Sequence, residues 1–297
     1  MSGARVAVVT SGAGIEFDED LPLIVRALRA DGLSAESARW DDGSVAWPEY
    51  DLAVIRSTWD YVEHLDAFLA WADGVAAATR LCNPAPVVRW NSDKHYLREL
   101  AARGVAVVPT RFLEPGERFT AADLDGIGGA DGVVVKPAVS AGAQDTARYR
   151  PGGSADAARH VGMLQERGRA AMVQPYLPRV AEGERALVFL GGVFSHAIRK
   201  DQLLTEPGLI DNDRMPHLGV TPYRPTGAEI RTALAALAAV PSPDAPLFAR
   251  VDLVLDGAGE PVVLELELIE PNLFLAANPD GLGRFVAAVA ARAAAPR

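Results

Sequence analysis

The chain has 297 residues, of which 49% are hydrophobic and 23% are charged, as is ordinary for a globular protein with two or three subdomains. Its formal net charge of −10 argues against a nucleic-acid partner, which would require a basic patch. The single cysteine, Cys82, excludes a disulfide framework and a thiolate metal cluster. The lack of a long apolar run argues against a membrane partner and favours a cytoplasmic location.

The N-terminal part of the chain alternates apolar strands with helices. Its predicted elements are strands at 5–10 and 51–56 and helices at 20–30 and 65–78. This alternation is typical of a parallel sheet covered by helices, so we expect a Rossmann-like α/β domain. Gly12 and Gly14 follow the first strand, but Phe17 stands where a dinucleotide-binding fingerprint needs its third glycine. Nicotinamide and flavin binding are therefore not favoured.

The remainder of the chain mixes helices with short strands, which is typical of α+β architecture. The predicted helices lie at 93–103, 155–167, 228–239 and from 281 onward, and the predicted strands at 105–108, 133–136, 171–173, 186–190 and 193–198. Asn91 and Ser92 are predicted to cap the first of these helices, which puts Lys94 in its first turn. A proline-rich surface stretch follows at 207–225. The expected domain bounds are 1–83, 84–175 and 176–297.

The most informative segment is a predicted β-hairpin over residues 250–270 with charged residues on one face. A glycine-containing turn centred between residues 258 and 259 places Asp252 opposite Glu265 and Arg250 opposite Glu267. Opposed carboxylates repel each other unless a cation lies between them, and their oxygen atoms suit Mg²⁺. The alternative is a solvated charged face that is salt-bridged through Arg250.

Two lysines are candidates for binding phosphate. Lys136 ends an apolar strand, and a loop of small residues follows it, including Ser140, Ala141 and Gly142. A buried lysine is costly unless it meets an anion, and such a loop exposes backbone N–H groups to phosphate oxygens. Lys94 is disfavoured in the first turn of a helix unless a ligand phosphate is present. The alternative for both residues is a lysine that reaches solvent.

Two further segments suggest nucleotide contacts. Pro175 keeps Gln174 extended, so that backbone groups from Gln174 to Leu177 are available to a purine edge, with Glu184 downstream for ribose hydroxyls. Arg199 and Lys200 end a strand, where two cations suit a γ-phosphate or a substrate carboxylate. The alternative for this pair is a salt-bridged strand end.

A third candidate region follows the 51–56 strand, at the edge where open α/β sheets bind ligands. Arg56 is able to pair with a carboxylate through two hydrogen bonds, and Trp59 and Tyr61 are suited to wall a pocket. The alternative is a capping turn at Ser57 and Thr58 with aromatic residues in the core.

Taken in order, the segments VVVKPAVSAGAQDT, VQPYL, HAIRK, ARVDLV and LELELIEPN resemble those of ATP-grasp ligases, and the resemblance covers nearly the whole chain. The chain is most similar to the glutathione synthetase-like branch. Within that branch the phrases IRSTWDY, KPAVSAGA, FSHAIRK and ELELIEPN resemble the cyclo-ligases of D-cycloserine biosynthesis, which act on O-ureido-serine. The resemblance implies an ATP-grasp fold in which two α+β subdomains clasp ATP behind the Rossmann-like domain.

The resemblance also implies a role for each candidate residue. Lys94 and Lys136 would contact the ATP phosphates under a lid formed by Ser140, Ala141 and Gly142. The adenosine site would be formed by Gln174, Tyr176, Leu177 and Glu184. Two Mg²⁺ ions, or Mn²⁺, would be held by Asp252, Glu265 and Glu267. Arg199 and Lys200 would be catalytic, with Arg199 on the transferred phosphoryl group, and the substrate would meet Arg56, Ser57, Thr58, Trp59, Arg250, Glu270 and Asn272.

The implied reaction activates a carboxylate as an acylphosphate, from which a nitrogen nucleophile displaces phosphate. The expected partner is a small amino-acid-like substrate that closes a ring within one molecule. One alternative joins two separate substrates, as glutathione synthetase-like and dipeptide ligases do. Glu267 argues against a glutathione-type substrate, because glutathione synthetases have asparagine at that position. The other alternative is a nucleotide-binding scaffold without turnover. A homo-oligomer is compatible with all three interpretations.

Overall fold

The computed structural model describes residues 3–212 and 219–295. Its first sheet is parallel and has the strand order β2-β1-β3-β4. The elements of this part are β1 (Arg5–Thr10), α1 (Gly12–Phe17), α2 (Asp20–Ala30), β2 (Ser34–Arg39), β3 (Leu52–Ser57), α3 (Leu65–Ala78) and β4 (Arg80–Cys82). The predicted strands and helices of this region are confirmed. Strand β2 was not predicted because it lies at the sheet edge, where only Ala35 and Ala38 of its six residues are buried.

The second sheet is antiparallel and has the order β5-β8-β6-β7. The elements here are α4 (Ala85–Asn91), α5 (Tyr96–Ala102), β5 (Arg111–Leu113), α6 (Ala121–Gly128), β6 (Val133–Pro137), β7 (Ala147–Tyr149), α7 (Ser154–Glu166) and β8 (Ala171–Pro175). Helix α6 begins at a capping box formed by Thr120 and Asp123. This helix was not predicted from the sequence, because it contains two glycines, which are unfavourable in a helix.

The third sheet is antiparallel and has the order β11-β10-β9-β12-β13. The elements here are β9 (Glu184–Leu190), β10 (Val193–Lys200), β11 (Val220–Tyr223), α8 (Gly227–Ala238), β12 (Phe248–Leu255), β13 (Pro261–Glu267) and α9 (Pro279–Ala294). The proline-rich stretch contains β11, and its residues 213–218 lie outside the described residues. Short 3-10 turns occur at Trp47–Glu49, Trp59–Glu63 and Pro178–Glu182. No helix in the described part of the chain has the length and apolar character needed to cross a bilayer.

The predicted helix at 93–103 begins later than expected, at Tyr96. Asn91 is not its cap but the last residue of α4. The Asn91 side chain instead donates to the carbonyl of Leu266 at 2.8 Å and accepts from the N–H of Leu268 at 2.7 Å, so it satisfies backbone groups beside β13. Lys94 therefore lies before the helix rather than in its first turn, and the expectation based on the helix dipole was wrong.

The predicted strand at 105–108 is also wrong, because only a single parallel bridge joins Val107 to Val263. The Val108 N–H donates to the carbonyl of Val263 at 3.0 Å, and the Val263 N–H donates to the carbonyl of Ala106 at 2.8 Å. This short extended segment covers the outer edge of β13 without adding a full strand.

The hairpin of β12 and β13 has the predicted pairs, with Asp252 opposite Glu265 and Arg250 opposite Glu267. Near the turn, however, Leu255 pairs with Pro261, so the turn is centred one half-residue earlier than expected. A β-bulge beyond Asp252 shifts the register and restores the predicted pairing. The charged residues therefore share one face of the sheet.

The parallel sheet and the five-stranded sheet share a hydrophobic core. Ile24 of α2 belongs to the same buried cluster as Val188 of β9, Phe248 of β12 and Phe285 of α9. The opposite face of the five-stranded sheet packs against α8 through a second cluster that includes Leu253 and Ala236. The charged face of the hairpin is therefore the face directed toward the N-terminal part of the chain. The three predicted domain bounds remain a prediction.

Candidate active site

Lys94 and Lys136 lie beside the loop that follows β6. The Lys94 ammonium donates to the Ser140 carbonyl at 2.6 Å and lies 3.0 Å from a carboxylate oxygen of Glu265. Lys136 is only 8% exposed, and it has no hydrogen-bond or ion-pair partner in the described residues. Burial lowers the pKa of the Lys136 ammonium, and the charge of Lys94 lowers it further, against the opposing effect of Glu265. A buried ammonium without a partner is costly and favours an anionic ligand.

The loop itself has a conformation that suits phosphate. Gly142 has φ 61° and the following Ala143 has φ 59°, in the left-handed region. Successive residues of this kind turn backbone N–H groups toward one side, where they are available to an anion. The structure brings Ser140, Ala141 and Gly142 next to the two lysines, as predicted.

Asp252 is the most strongly paired carboxylate of the hairpin. It lies 2.6 Å from the Lys200 ammonium and accepts two hydrogen bonds from the Arg250 guanidinium, at 2.9 and 3.0 Å. Burial alone would raise the pKa of Asp252, but Arg250 and Lys200 hold it below its usual range. Lys200 also pairs with Glu184 at 3.0 Å, so Glu184 contacts a cation rather than lying free for a ribose. Burial opposes the charge of Lys200, yet Asp252 and Glu184 raise its pKa above the ordinary value.

The other carboxylates are less well compensated. Burial would raise the pKa of Glu265, but Lys94 and Lys136 lower it. Burial raises the pKa of Glu267 to about 7, despite a hydrogen bond from Arg250. Burial and the charge of Glu267 raise the pKa of Glu270 to about 8. Ionised together with Asp252 and Glu184, these three carboxylates would place five negative charges beside four cations, which are Lys94, Lys136, Lys200 and Arg250.

The predicted metal ligands share one face without forming a closed metal cage. In the residues that the structure describes, no three Asp, Glu, His or Cys side chains converge to hold an ion. The reason is that Asp252 turns to Arg250 and Lys200, and Glu265 turns to Lys94. Arg250 thus forms the salt bridges of the alternative interpretation, but Asp252 and Arg250 are buried rather than solvated. The donor set still fits a divalent cation, since it consists of hard carboxylate oxygens, and burial keeps the pKa of Glu267 raised even beside Arg250.

Only one of the two predicted catalytic cations reaches this cluster. Lys200 points to the charged face of the sheet, whereas Arg199 is exposed and lies on the face that α8 covers, opposite Arg185. Arg199 is therefore placed away from the carboxylates, contrary to its predicted position on the transferred phosphoryl group. Arg250 occupies the cluster instead and bridges Asp252 and Glu267.

The residues predicted to line an adenine pocket lie together at the end of β8, but some of their polar groups are engaged. The buried Gln174 amide donates to Thr110 at 2.8 Å. The Tyr176 hydroxyl accepts from Gln202 at 2.9 Å, and Arg148 stands 4.9 Å over its ring. Leu177 packs against an apolar cluster. Backbone groups of this segment are engaged as well, since the Tyr176 N–H donates to the Gly132 carbonyl at 2.8 Å and the Leu177 carbonyl accepts from the Val180 N–H at 2.9 Å.

The predicted substrate residues after β3 are mostly structural. Arg56 is 2% exposed and donates to Asp18 at 3.0 Å, to Asp20 at 3.1 Å and to the carbonyl of Pro271 at 2.5 Å. Its guanidinium is thus occupied within the protein and is not available to a substrate carboxylate. Ser57 shares a hydrogen bond of 2.8 Å with Thr10. Thr58 is fully buried and its hydroxyl has no partner in the described residues.

Trp59 is the one residue of this group that contacts the charged region, through a hydrogen bond from its indole to the Glu270 carbonyl at 3.3 Å. The buried Tyr61 follows it, and its pKa is raised by burial and by the charge of Glu270. Asp18 and Asp20 were missed as partners of Arg56. The acidic run at 16–20 was a visible signal, but its role depends on residues far away in the sequence.

We expect Glu270→Gln to remove part of the pH dependence of stability. Because the folded-state pKa of Glu270, about 8, lies above its ordinary 4.5, the protonated carboxyl stabilises the folded protein at low pH. This stability is lost as the pH rises through the interval between those values. Melting temperatures of the ligand-free protein should therefore diverge with rising pH, with the variant melting higher. The exposed Glu260→Gln is the matched control; a constant difference across the range would contradict the expectation.

The chain is similar to known proteins over nearly its whole length. The family profile described as D-cycloserine synthetase DcsG, N-terminal domain, matches residues 6–83. The cycloserine biosynthesis protein DcsG of Streptomyces lavendulae is 39% identical over 296 residues, which cover 97% of this chain and 98% of that protein. The crystal structure of D-cycloserine synthetase DcsG matches with a TM-score of 0.87 and 37% identity, over 97% of this chain and 99% of that one.

A more distant structure shows the fold alone. D-alanine–D-alanine ligase from Bacillus anthracis, solved in complex with ATP, matches with a TM-score of 0.68 at 14% identity, over 98% of this chain and 99% of that one. The predicted ATP-grasp fold, with its parallel N-terminal sheet and two antiparallel sheets, is confirmed.

Proposed function

The chain belongs to the D-cycloserine synthetase DcsG family of ATP-grasp ligases, and on that premise we propose that it uses ATP to close a ring within one amino-acid-like molecule. It is a carbon–nitrogen ligase, and the substrate that we infer is O-ureido-serine, giving a cycloserine-type product. The observation that carries this proposal is the likeness to DcsG over nearly the full length of both chains. We also infer that the reaction takes place in the cytoplasm, where ATP is supplied.

ATP is proposed to bind with its phosphates against Lys94 and Lys136. The support is the buried Lys136 ammonium, which has no partner among the described residues, and the left-handed loop at Gly142 beside it. The adenosine part is assigned to the end of β8, near Tyr176 and Leu177, with the Gln174 and Glu184 side chains behind it. Since Glu184 pairs with Lys200, a contact between Glu184 and a ribose would require this ion pair to be shared.

Mg²⁺ is proposed as the cofactor, as two ions held by Asp252, Glu265 and Glu267, with Mn²⁺ as a substitute. When bound, magnesium supplies positive charge that polarises and orients the phosphates. The raised pKa of Glu267 supports this assignment, because an added cation would compensate the charge that raises it. Lys94 and Lys200 would then share their carboxylate partners with the ions.

In the proposed reaction the substrate carboxylate attacks the γ-phosphate and forms an acylphosphate, with ADP as the leaving group. The nitrogen bonded to the side-chain oxygen of the same molecule then displaces phosphate and loses its proton, which closes the ring, and hydrolysis removes the carbamoyl group to give the cycloserine-type product. Lys200 neutralises the charge that develops on the phosphoryl oxygens, and Arg250 is assigned to the substrate. Trp59, Glu270 and Asn272 are proposed to wall the substrate, since they lie at the junction between the first sheet and the hairpin. Arg56 acts only indirectly, by holding Pro271.

The proposal is tested by ADP release in the presence of Mg²⁺, followed by mass spectrometry of the product. A product that contains atoms of a single amino-acid molecule supports ring closure. A product built from two molecules would instead support a ligase that joins separate substrates. Glu267 argues against a glutathione-type reaction of this kind. ATP binding in calorimetry without ADP release, across O-ureido-serine and a panel of amino acids, would overturn the enzymatic assignment. Light scattering of the same sample reports whether the protein is a homo-oligomer.

A further inference from the structure

The turn at 272–275, which follows the carboxylate strand, has an unusual backbone. Phe274 has φ 53°, a strained left-handed conformation that a bulky residue rarely adopts and that persists only where its surroundings enforce it. Side chains on several elements bond this turn. Asn272 accepts from the Phe274 N–H at 2.8 Å, Arg250 donates to the Asn272 carbonyl at 3.0 Å, and Asp20 accepts from the Leu275 N–H at 3.1 Å. The conformation is thus maintained from both sides of the site.

His196 bonds the centre of this turn. Its ring is buried, and Nε2 lies 2.8 Å from the carbonyl of Leu273. A carbonyl only accepts, so Nε2 carries the proton and donates. Nδ1 of the neutral ring then accepts from the Ser195 hydroxyl at 2.9 Å, and Ser195 in turn accepts from Nε of Arg284 at 3.0 Å. Every donor in this relay has an acceptor, which fixes the tautomer and the orientation of the ring.

The local structure directs His196 to this position. The pairing of β10 with β9 shifts between Phe194 and His196, so Ser195 is the extra residue of a β-bulge. Bulges often redirect a side chain next to a functional site. His196 is therefore turned toward the 272–275 turn and the start of α9.

Gly281 of α9 has no side chain, and the ring of His196 occupies the space where a side chain would lie. A Cβ atom at this glycine would lie 2.8 Å from Cε1 and 2.9 Å from Nδ1 of His196, closer than real contacts allow. The residue lies in a helix and has no positive φ, so backbone freedom does not explain the glycine. In a helix, alanine is normally more favourable than glycine. The ring of His196 is the physical reason for the glycine here.

We propose that His196 is a positioning residue for the amino-acid substrate: it holds the 272–275 turn, and through Asn272 it sets the Arg250 guanidinium and the wall of the substrate site. Arg250 joins the turn to Asp252 and Glu267, so a displacement of Leu273 reaches the cluster through one intervening residue. The inference rests on the proposed function, because the substrate site is the one assigned there. It makes His196 specific to the amino-acid side of the reaction, with no role toward ATP.

The first experiment removes the N–H donor at Nε2 of His196 and then replaces it with an amide N–H. His196→Ala is expected to raise KM for O-ureido-serine by about tenfold, comparable to the loss of one hydrogen bond. KM for ATP and kcat should stay within about threefold of the wild type. His196→Gln places an amide N–H near the position of Nε2 and should restore most of the substrate KM. A role in folding alone would lower the melting temperature of both variants without this split between the two substrates, and it would overturn the proposal.

The second experiment displaces the ring without changing it. Gly281→Ala is expected to raise the substrate KM as His196→Ala does. Gly283→Ala in the same helix should have no effect on KM, since a Cβ atom there meets nothing within 4 Å. In the His196→Ala background the two closest contacts of the methyl group are removed and the next nearest, Asn278 Oδ1, lies at 3.1 Å, so adding Gly281→Ala should bring no further increase. Additive effects, or equal effects at the two glycines, would overturn the proposal.

The two inferences fail in different ways. If the wild type releases no ADP with any substrate, the proposed function is wrong. If the wild type turns over while His196→Ala and Gly281→Ala keep a normal substrate KM, only the role of His196 is wrong.

Discussion

Lys200→Met is expected to lower kcat by about a thousandfold, whereas Arg199→Met, one residue away, is expected to leave kcat within about threefold of the wild type. Lys200 lies at the charged face, 2.6 Å from Asp252 and 3.0 Å from Glu184, while Arg199 is exposed on the other face of β10. Removal of a cation that stabilises a transferring phosphoryl group typically costs several orders of magnitude in rate. The two variants therefore show which of the two cations at the end of β10 acts in catalysis.

The measurement is kcat at saturating ATP, Mg²⁺ and substrate, with the melting temperature of each variant as a check on folding. Methionine has nearly the length of lysine, so packing is largely retained. In Lys200→Met the Asp252 carboxylate keeps its two hydrogen bonds from Arg250. A large loss in Arg199→Met together with normal turnover in Lys200→Met would reverse the assignment and restore the role predicted from the sequence.

The second large effect concerns the proposed metal ligands. Asp252→Asn and Glu265→Gln are each expected to lower kcat by about a thousandfold, equivalent to about 4 kcal/mol of transition-state stabilisation. Folding should persist in Asp252→Asn because the neighbouring cations keep other partners. Arg250 retains Glu267 and the Asn272 carbonyl, and Lys200 retains Glu184. Each variant should also need more Mg²⁺ for half-maximal ATP binding in calorimetry.

Asp256→Asn is the matched control, since it makes the same chemical change in the turn of the same hairpin. Its side-chain oxygen accepts from the backbone N–H groups of Ala258 and Glu260 at 2.9 Å, and asparagine provides the same acceptor. Near-normal turnover in Asp252→Asn or Glu265→Gln, with an unchanged Mg²⁺ requirement, would remove both residues from the metal site.

The hairpin was predictable because its information is local. Alternating charged and apolar residues indicate two strands, and a glycine-containing turn sets their pairing. The bulge beyond Asp252 was not visible in the sequence, because it depends on how β13 packs against neighbouring elements. The predicted pairs were nevertheless correct, although the turn is centred half a residue earlier than expected. The fold class followed from the order of the segments along the whole chain, and the structural comparisons confirm it.

The roles of individual charged residues were harder to predict, because a sequence does not show which charges pair inside the protein. Arg56 meets Asp18, Asp20 and Pro271, the last of them 215 residues away, and no local pattern indicates that contact. Arg199 and Lys200 differ only in the face of β10 on which they lie, and the bulge at Ser195 upsets simple alternation along that strand. Lys94 was assigned to a helix that begins two residues later.

The segment after the carboxylate strand has a consequence for protein engineering. Pro271 and Leu275 are bonded by Arg56 and Asp20 of the N-terminal part, while Asn272 and Leu273 are bonded by Arg250 and His196 of the five-stranded sheet. A chimaera that exchanges residues 1–83 between relatives would therefore exchange the partners of Pro271 and Leu275. Such a swap should preserve catalysis only when the donor sequence carries an equivalent aspartate and arginine, or when residues 271–276 are transplanted with it.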